Sequence, residues 1–140
     1  MNGFGDQYKS KKKSNKKTKP SKEQIIKQAF KFHSQGNIQE AAKYYQYFID
    51  QGFNDHRVFS NYAGILQGIG KLKEAEISLR KAIEINPDYS DAYFNLAMIQ
   101  LLKGNYVDGL ENYEYRFKTK SPSILHGNPI TRKKVDIDLR

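Results

Sequence analysis

Three glycines, Gly36, Gly70 and Gly104, recur at an interval of 34 residues, and the sequences around them resemble one another. Other sets of positions keep the same interval: Ala29, Ala63 and Ala97; Ala41, Ala75 and Gly109; Tyr45, Leu79 and Tyr113. A fixed period of this length is typical of proteins in which one small structural unit is repeated and stacked. The period therefore constrains the fold more than any other feature of the chain.

Each unit predicts two helices joined by a turn. Apolar residues recur at helical spacing on both sides of each glycine, and glycine readily adopts the left-handed conformation in which many helices end. Asn86-Pro87 ends the fourth helix, since proline cannot continue the backbone hydrogen bonds. Six helices are predicted, at 22–35, 39–51, 56–69, 73–85, 90–103 and 107–118. The predicted fold is all-α, a right-handed α-solenoid of three hairpins at 22–55, 56–89 and 90–118.

Both ends of the chain are predicted to lie outside the repeats. Residues 1–21 form a Lys-rich arm that we expect to be disordered, because the stretch 9–22 contains no apolar residue. Residues 119–140 form a tail that we expect to be irregular, since Pro122, Gly127 and Pro129 interrupt any helix. No stretch is long and apolar enough for a transmembrane segment and none resembles a secretory signal, so we expect a cytoplasmic protein.

The net charge of +9 belongs to the ends of the chain. Residues 1–22 hold eight Lys and one Asp (+7), and residues 118–140 hold six Lys or Arg and two Asp (+4), whereas residues 23–117 hold ten basic and twelve acidic residues (−2). The repeats therefore lack the broad basic surface of a nucleic-acid-binding domain, and a nucleic-acid partner is not favoured. An alternative hypothesis is that the lysines of 9–22 bind nucleic acid or an anionic surface.

No residue pattern predicts an active site. The chain has no cysteine, which excludes disulfides and thiolate-bound zinc. His33, His56 and His126 show no metal-ligand spacing, and no phosphate-binding glycine loop or nucleophile motif is present. We expect neither an enzyme nor a protein with a cofactor or metal.

The repeats resemble tetratricopeptide repeats over residues 22–118. The resemblance rests on 58–63, 70–75 and 81–87 in the second unit and on 92–97 and 104–106 in the third, while the first unit departs from the pattern at Gln28 and Gly52-Phe53. It implies a helical array that binds a partner protein or peptide.

A second resemblance concerns the end of the array. The segment 109–117 and the residues His126-Gly127-Asn128-Pro129 are similar to the last, atypical repeat of certain bacterial tetratricopeptide proteins, in which a glycosyltransferase-like domain follows the array. This resemblance implies an alternative function as the accessory, substrate-binding part of a glycosyltransferase system.

Stacked hairpins of this kind curve, and the first helix of each unit lines the concave face. Helical spacing predicts which residues of the first, second and third units line this face: Glu23, Ile26, Lys27, Phe30 and His33; Arg57, Ser60, Asn61, Gly64 and Gln67; Asp91, Phe94, Asn95, Met98 and Leu101. The large apolar members, Phe30, Phe94, Met98 and Leu101, would either contact a partner or pack against the neighbouring hairpin.

Asn61 and Asn95 lie 34 residues apart and so repeat on one face. A side-chain amide both donates and accepts hydrogen bonds, and the resemblance implies that these two pair with the backbone of an extended peptide. The alternative is that they are polar groups on a solvated face. Lys27 takes this position in the first unit and favours an acidic segment. The predicted peptide-binding groove thus comprises Asn61, Asn95, Lys27, Phe30, Arg57, Phe94 and Met98.

The sequence also predicts self-association through the C-terminal hairpin. Arrays of this kind usually end in a polar capping helix, and no segment after Phe117 has that pattern. Tyr106, Leu110, Tyr113 and Phe117 would therefore form an uncovered apolar face.

Overall fold

A computed structural model of the chain describes residues 18–119, and all regular secondary structure in this range is helical. The six helices are α1 (Lys22–Ser34), α2 (Ile38–Asp50), α3 (His56–Gly68), α4 (Leu72–Ile85), α5 (Ser90–Leu102) and α6 (Tyr106–Tyr115). The predicted bounds are confirmed to within one residue, except that α6 ends three residues early. Every helix between residues 18 and 119 is too short or too polar to cross a bilayer. Most of the predicted arm (1–17) and tail (120–140) lies outside the described residues.

Local interactions fix the ends of the helices. Ser21 and Gln24 form a reciprocal capping box at the start of α1, each side chain accepting a hydrogen bond from the other residue's backbone N–H. The repeated glycines adopt positive φ angles, 72° at Gly36, 80° at Gly70 and 79° at Gly104, as the sequence predicts. The three first-to-second helix turns are therefore alike, and this likeness keeps the hairpins in register.

The hairpins α1–α2, α3–α4 and α5–α6 stack in chain order, α2 against α3 and α4 against α5. One core cluster contains Ala29, Ala41 and Tyr45, and a second contains Ala75 and Leu79; all five side chains are fully buried. Small residues let the two helices of a hairpin approach closely, and the larger ones fill the space between hairpins. Burying one side chain the size of leucine stabilises such a fold by about 1.5–3 kcal/mol.

The third hairpin departs from the other two at Gly109. The equivalent positions are Ala41 and Ala75, but a Cβ atom at Gly109 would lie only 2.8 Å from Leu101 Cδ2 and 3.2 Å from the Leu101 backbone N. The helices α5 and α6 therefore approach too closely for an alanine. Asn112 donates a hydrogen bond to Gln100 Oε1 (2.7 Å) across the same contact.

The end of the array is closed in part by a buried arginine. Arg116 takes the position of Ala82 in the second unit and is 1% exposed. Its guanidinium carbon lies 5.0, 4.0 and 4.1 Å from the ring centroids of Phe94, Tyr113 and Phe117, and its Nε donates to the Tyr113 carbonyl. Nη1 has no hydrogen-bond partner within the described part of the chain. Cation–π contacts therefore offset part of the cost of burying this charge.

Candidate peptide-binding groove

The helices α1, α3 and α5 form one continuous surface of the array, which we call the inner face. Rows of equivalent residues cross it at the interval of 34, and every member of these three rows is exposed or half-buried: Glu23, Arg57 and Asp91; Lys27, Asn61 and Asn95; Phe30, Gly64 and Met98. Two of the predicted lining residues, Ile26 and Ser60, are instead buried, because their row lies against the next hairpin along the array.

Asn61 lies beside a short polar cluster. Its side chain is next to the Tyr45 hydroxyl, and that hydroxyl lies 2.8 Å from His33 Nδ1. Burial raises the pKa of Tyr45 to about 12, although the neighbouring Asn61 amide opposes the shift, so the phenol stays neutral at physiological pH. The cluster brings together side chains of α1, α2 and α3.

Asn95 lies next to Asn61 across the contact between α3 and α5. Its Nδ2 donates a long hydrogen bond of 3.5 Å to Ser60 Oγ, on the residue that precedes Asn61. A primary amide has two N–H donors and one carbonyl acceptor, so a single hydrogen bond leaves capacity for another partner. The two asparagines together can therefore serve an extended backbone.

Two cationic side chains, Lys27 of α1 and Arg57 of α3, lie on the inner face. Arg57 donates to both oxygens of Asp55, with Nε at 3.1 Å and Nη2 at 2.8 Å, and its guanidinium carbon lies 5.5 Å from the Phe30 ring centroid. Burial raises the pKa of Asp55, but the hydrogen bonds and charge of Arg57 outweigh it and leave that pKa below its ordinary value. Half of the Arg57 side chain is exposed, and Lys27 is also exposed. Both side chains can therefore attract an acidic group.

A hollow of about 320 Å³ lies towards the C-terminal end of α3, away from Arg57. It is lined by His33, Ile38, Gly64, Ile65, Gly68 and Ile69. A Cβ atom at Gly64 or Gly68 would contact nothing within 4 Å, so close helix packing does not require either glycine. The two glycines deepen the surface between Phe30 and Met98, and an apolar side chain of a partner would find room there.

Phe94 has a different environment from the other predicted groove residues. It is half-buried, and its ring contacts Tyr113 at a centroid distance of 6.3 Å and the Arg116 guanidinium at 5.0 Å. Part of its surface is therefore used in packing at the C-terminal end. Met98, by contrast, is exposed on α5.

Sequence reasoning missed the hollow and the neighbours of the two asparagines, Tyr45 beside Asn61 and Ser60 beside Asn95. The spacing of Gly64 and Gly68, one helical turn apart within a helix, was a visible signal for the hollow. The contact of Asn61 with Tyr45 had no such signal, because it depends on how far α2 and α3 are offset along their axes.

Comparison with known proteins identifies the repeats. Two family models described as the tetratricopeptide repeat match residues 56–89 and 78–111. The chain therefore contains tetratricopeptide repeats, and its fold is the α-solenoid that such repeats form.

The curated relatives share only a short region with this chain. The U-box domain-containing protein 70 of Oryza sativa subsp. japonica is 37% identical over 82 residues, which cover 59% of this chain and 10% of that protein. The Hsp70-Hsp90 organizing protein 3 of Arabidopsis thaliana is 30% identical over 98 residues, or 69% of this chain and 18% of that protein. The chain thus spans less than a fifth of the length of either relative.

A solved structure shows the same fold. The TPR2B domain of yeast Sti1, in its complex with pHsp70, superposes with a TM-score of 0.59 at 27% identity, covering 65% of this chain and 73% of that one. These comparisons concern the repeats alone, and the resemblance to glycosyltransferase-associated repeats stays a prediction.

Proposed function

We propose that the inner face binds an extended segment of a partner protein. The observation that carries this proposal is the position of Asn61 and Asn95, two half-buried amides at equivalent positions of successive repeats on the inner face; Asn95 also donates a long hydrogen bond to Ser60. An extended backbone presents an N–H and a carbonyl to each side, and an amide satisfies both. Amides in this arrangement bind a backbone whatever its side chains.

The surroundings of the asparagines suggest the chemistry of the segment. Lys27 and Arg57 favour a carboxylate on the α1–α3 side, and the hollow above Gly64 accepts an apolar side chain. The likeness to a yeast Sti1 domain that was solved with pHsp70 supports a protein or peptide partner. A segment with an acidic and an apolar residue in an extended conformation therefore suits the inner face best.

Replacing Asn61 and Asn95 together with alanine tests the proposal. A partner isolated on the immobilised chain supplies the peptide, and its Kd is measured by calorimetry for each variant. We expect the double variant to bind at least about fivefold more weakly, since two hydrogen-bonding groups are removed at about 0.5–1.5 kcal/mol each.

Asn112→Ala is the matched control. Asn112 is also a half-buried amide bonded to another side chain, but it lies on α6, away from the inner face. Its loss should leave the Kd within about twofold. Equal effects of the two changes, at unchanged helical content by circular dichroism, would mean that the asparagines act through stability and that the groove is elsewhere.

A second proposed role is self-association through α6. Tyr106, Val107 and Leu110 are 65%, 79% and 57% exposed, which is unusual for three large apolar side chains on one short helix. This role does not compete with the first, because α6 and the asparagines occupy different surfaces.

A further inference from the structure

The opposite surface of the array carries a second depression. It lies between α2 and α4, with α3 as its floor, and has a volume of about 490 Å³. Its lining residues are Gln46, Ile49, Phe59, Tyr62, Leu66, Lys71, Glu74, Ile77, Ser78 and Lys81. We call it the outer groove.

The third hairpin shows what fills this space in an equivalent unit. Tyr115 of α6 lies against Tyr93 of α5 with ring centroids 4.6 Å apart. Beside this pair, Asn112 donates to Gln100. Two aromatic rings and two amides thus close the contact between α5 and α6 on the outer side.

The second hairpin has smaller or more flexible residues at those positions. The position equivalent to Tyr115, 34 residues earlier, is Lys81, and the position equivalent to Asn112 is Ser78. The Lys81 ammonium turns to Glu84 Oε1 (3.1 Å), and the Ser78 hydroxyl donates to the Phe59 carbonyl (2.8 Å). Neither side chain occupies the volume of the missing ring, so the outer groove stays open beside Phe59, although Phe59 itself is only 8% exposed.

The remaining two equivalent positions make this floor apolar. Phe59 replaces Tyr93, and Leu66 replaces Gln100. Ile77 forms part of the wall and is 61% exposed, and Tyr62 is held beside the groove by a hydrogen bond to Gln46 Oε1 (2.8 Å). An aromatic ring placed here would contact Phe59 as Tyr115 contacts Tyr93.

One lysine at the groove offers a site for an acidic neighbour of that ring. Lys81 is paired with Glu84, which leaves Lys71 and the carboxylate Glu74 as the other charged lining residues. Lys71 forms no salt bridge with another residue in the range 18–119, and its counterpart in the third hairpin is the uncharged Asn105. A carboxylate on the incoming segment would therefore gain a partner at Lys71.

We propose that the outer groove binds an aromatic side chain of a partner protein, with an acidic residue adjacent to it in the partner sequence. The ring takes the place over Phe59 that Tyr115 takes over Tyr93, and the carboxylate meets Lys71. This site is separate from the inner face, so one chain can hold two segments at once.

Two short peptides serve as probes for the full chain in a titration followed by backbone amide NMR shifts. The first is Ac-Ala-Phe-Asp-Ala-NH2, and the second has Ala in place of Phe. We expect saturable shifts at the amides of Phe59, Ile77 and Ser78 with the first peptide. Its Kd should be at least about tenfold lower than that of the second, because the ring supplies most of the contact.

Three variants locate the binding. Lys81→Tyr installs the ring that the third hairpin already has, so it should fill the groove and abolish the shifts without lowering the Tm. Ile77→Glu should weaken the phenylalanine peptide at least about tenfold. Ile69→Glu is its matched control, since Ile69 is 62% exposed and lines the inner hollow; it should leave the Kd unchanged.

Four outcomes would overturn the proposal. The first is an unchanged Kd in Lys81→Tyr, and the second is a set of shifts that maps to the inner face. Binding that appears only after deletion of residues 1–17 would show that Phe4 or Tyr8 of the chain itself occupies the groove. Amide NMR shifts that change with protein concentration in the absence of peptide would show that a second copy of the chain occupies the groove. The Asn61→Ala/Asn95→Ala variant should bind the probe normally, which separates this proposal from that for the inner face.

Discussion

Two helical glycines, Gly64 and Gly109, have opposite surroundings and should respond oppositely to alanine. A Cβ atom at Gly64 meets nothing within 4 Å, whereas one at Gly109 meets Leu101 Cδ2 at 2.8 Å. Gly64→Ala should therefore raise the free energy of unfolding by about 0.5–1 kcal/mol through helix propensity. Gly109→Ala should lower it by about 1–3 kcal/mol through overpacking. Thermal unfolding followed by circular dichroism measures both.

The test is the sign of the change in unfolding free energy in each of the two variants. A rise in Tm for both variants would show that α5 and α6 separate at little cost and that Gly109 is not required for their contact. The sequence marks Gly109 as a departure, because Ala41 and Ala75 hold the equivalent positions. It does not reveal that the Leu101 backbone lies 3.2 Å away, since that distance is set by the packing of the whole hairpin.

The contacts between helices in the candidate groove could not be predicted from the sequence either. Periodicity alone placed Asn61 and Asn95 on the same face, because residues 34 apart in a regular array share one environment. The residues beside them, Tyr45 and Ser60, belong to neighbouring helices. Which atoms meet between helices depends on axial offsets of a few ångströms, and residue spacing carries no such information.

At the scale of the helix, Glu76 connects two hairpins and should make their contact sensitive to acid. Its carboxylate accepts from Lys103 Nζ (2.7 Å) at the end of α5 and from Arg80 Nη2 (2.7 Å) on α4. The hydrogen bond from Lys103, followed by that from Arg80, lowers the pKa of Glu76 below its ordinary value of 4.5. The resulting stabilisation is complete above pH 4.5 and is lost as the pH falls through the lowered pKa.

Glu76→Gln should remove this pH-dependent contribution. The side chain is only 17% exposed, and a loss of up to about 1 kcal/mol at pH 7 is expected for an ion pair near the surface. The Tm difference between the wild type and the variant should shrink as the pH is lowered from about 7 through the lowered pKa of Glu76. Glu84→Gln, which affects an exposed pair within α4, is the control. A Tm difference that stays constant with pH would contradict the assignment.

Five of the six helices could be placed to within one residue because glycine, proline or a capping residue marks their ends. The end of α6 lacks such a signal, and its apolar pattern continues through Tyr115 and Phe117. The chain instead tightens into a turn in which the Phe117 and Lys118 N–H groups donate to the carbonyls three residues back. Packing of Arg116 between the rings accompanies this turn, and no local pattern predicts it.

At the scale of the whole molecule, the two ends of the described array differ in polarity. The outward residues of α1 are polar and exposed: Gln24, Gln28 and Lys31. By contrast, α6 exposes three large apolar side chains, those of Tyr106, Val107 and Leu110. Stacking one copy's α1 on another's α6 would set polar against apolar surface. Contact between two α6 helices would set apolar against apolar surface and form a closed two-fold dimer.

Self-association of this kind predicts a mass that depends on concentration and stops at the dimer. Light scattering from about 10 µM to 1 mM should show the average mass rising towards twice that of the chain. Leu110→Glu should hold the protein as a monomer over the whole range, because a carboxylate in the apolar surface of α6 cannot be buried without a partner. Ile69→Glu removes an isoleucine that is 62% exposed on another surface and should leave dimerisation unchanged. A monomeric wild type at the highest concentration would exclude α6 as a self-association surface, and masses beyond the dimer would exclude the closed two-fold arrangement.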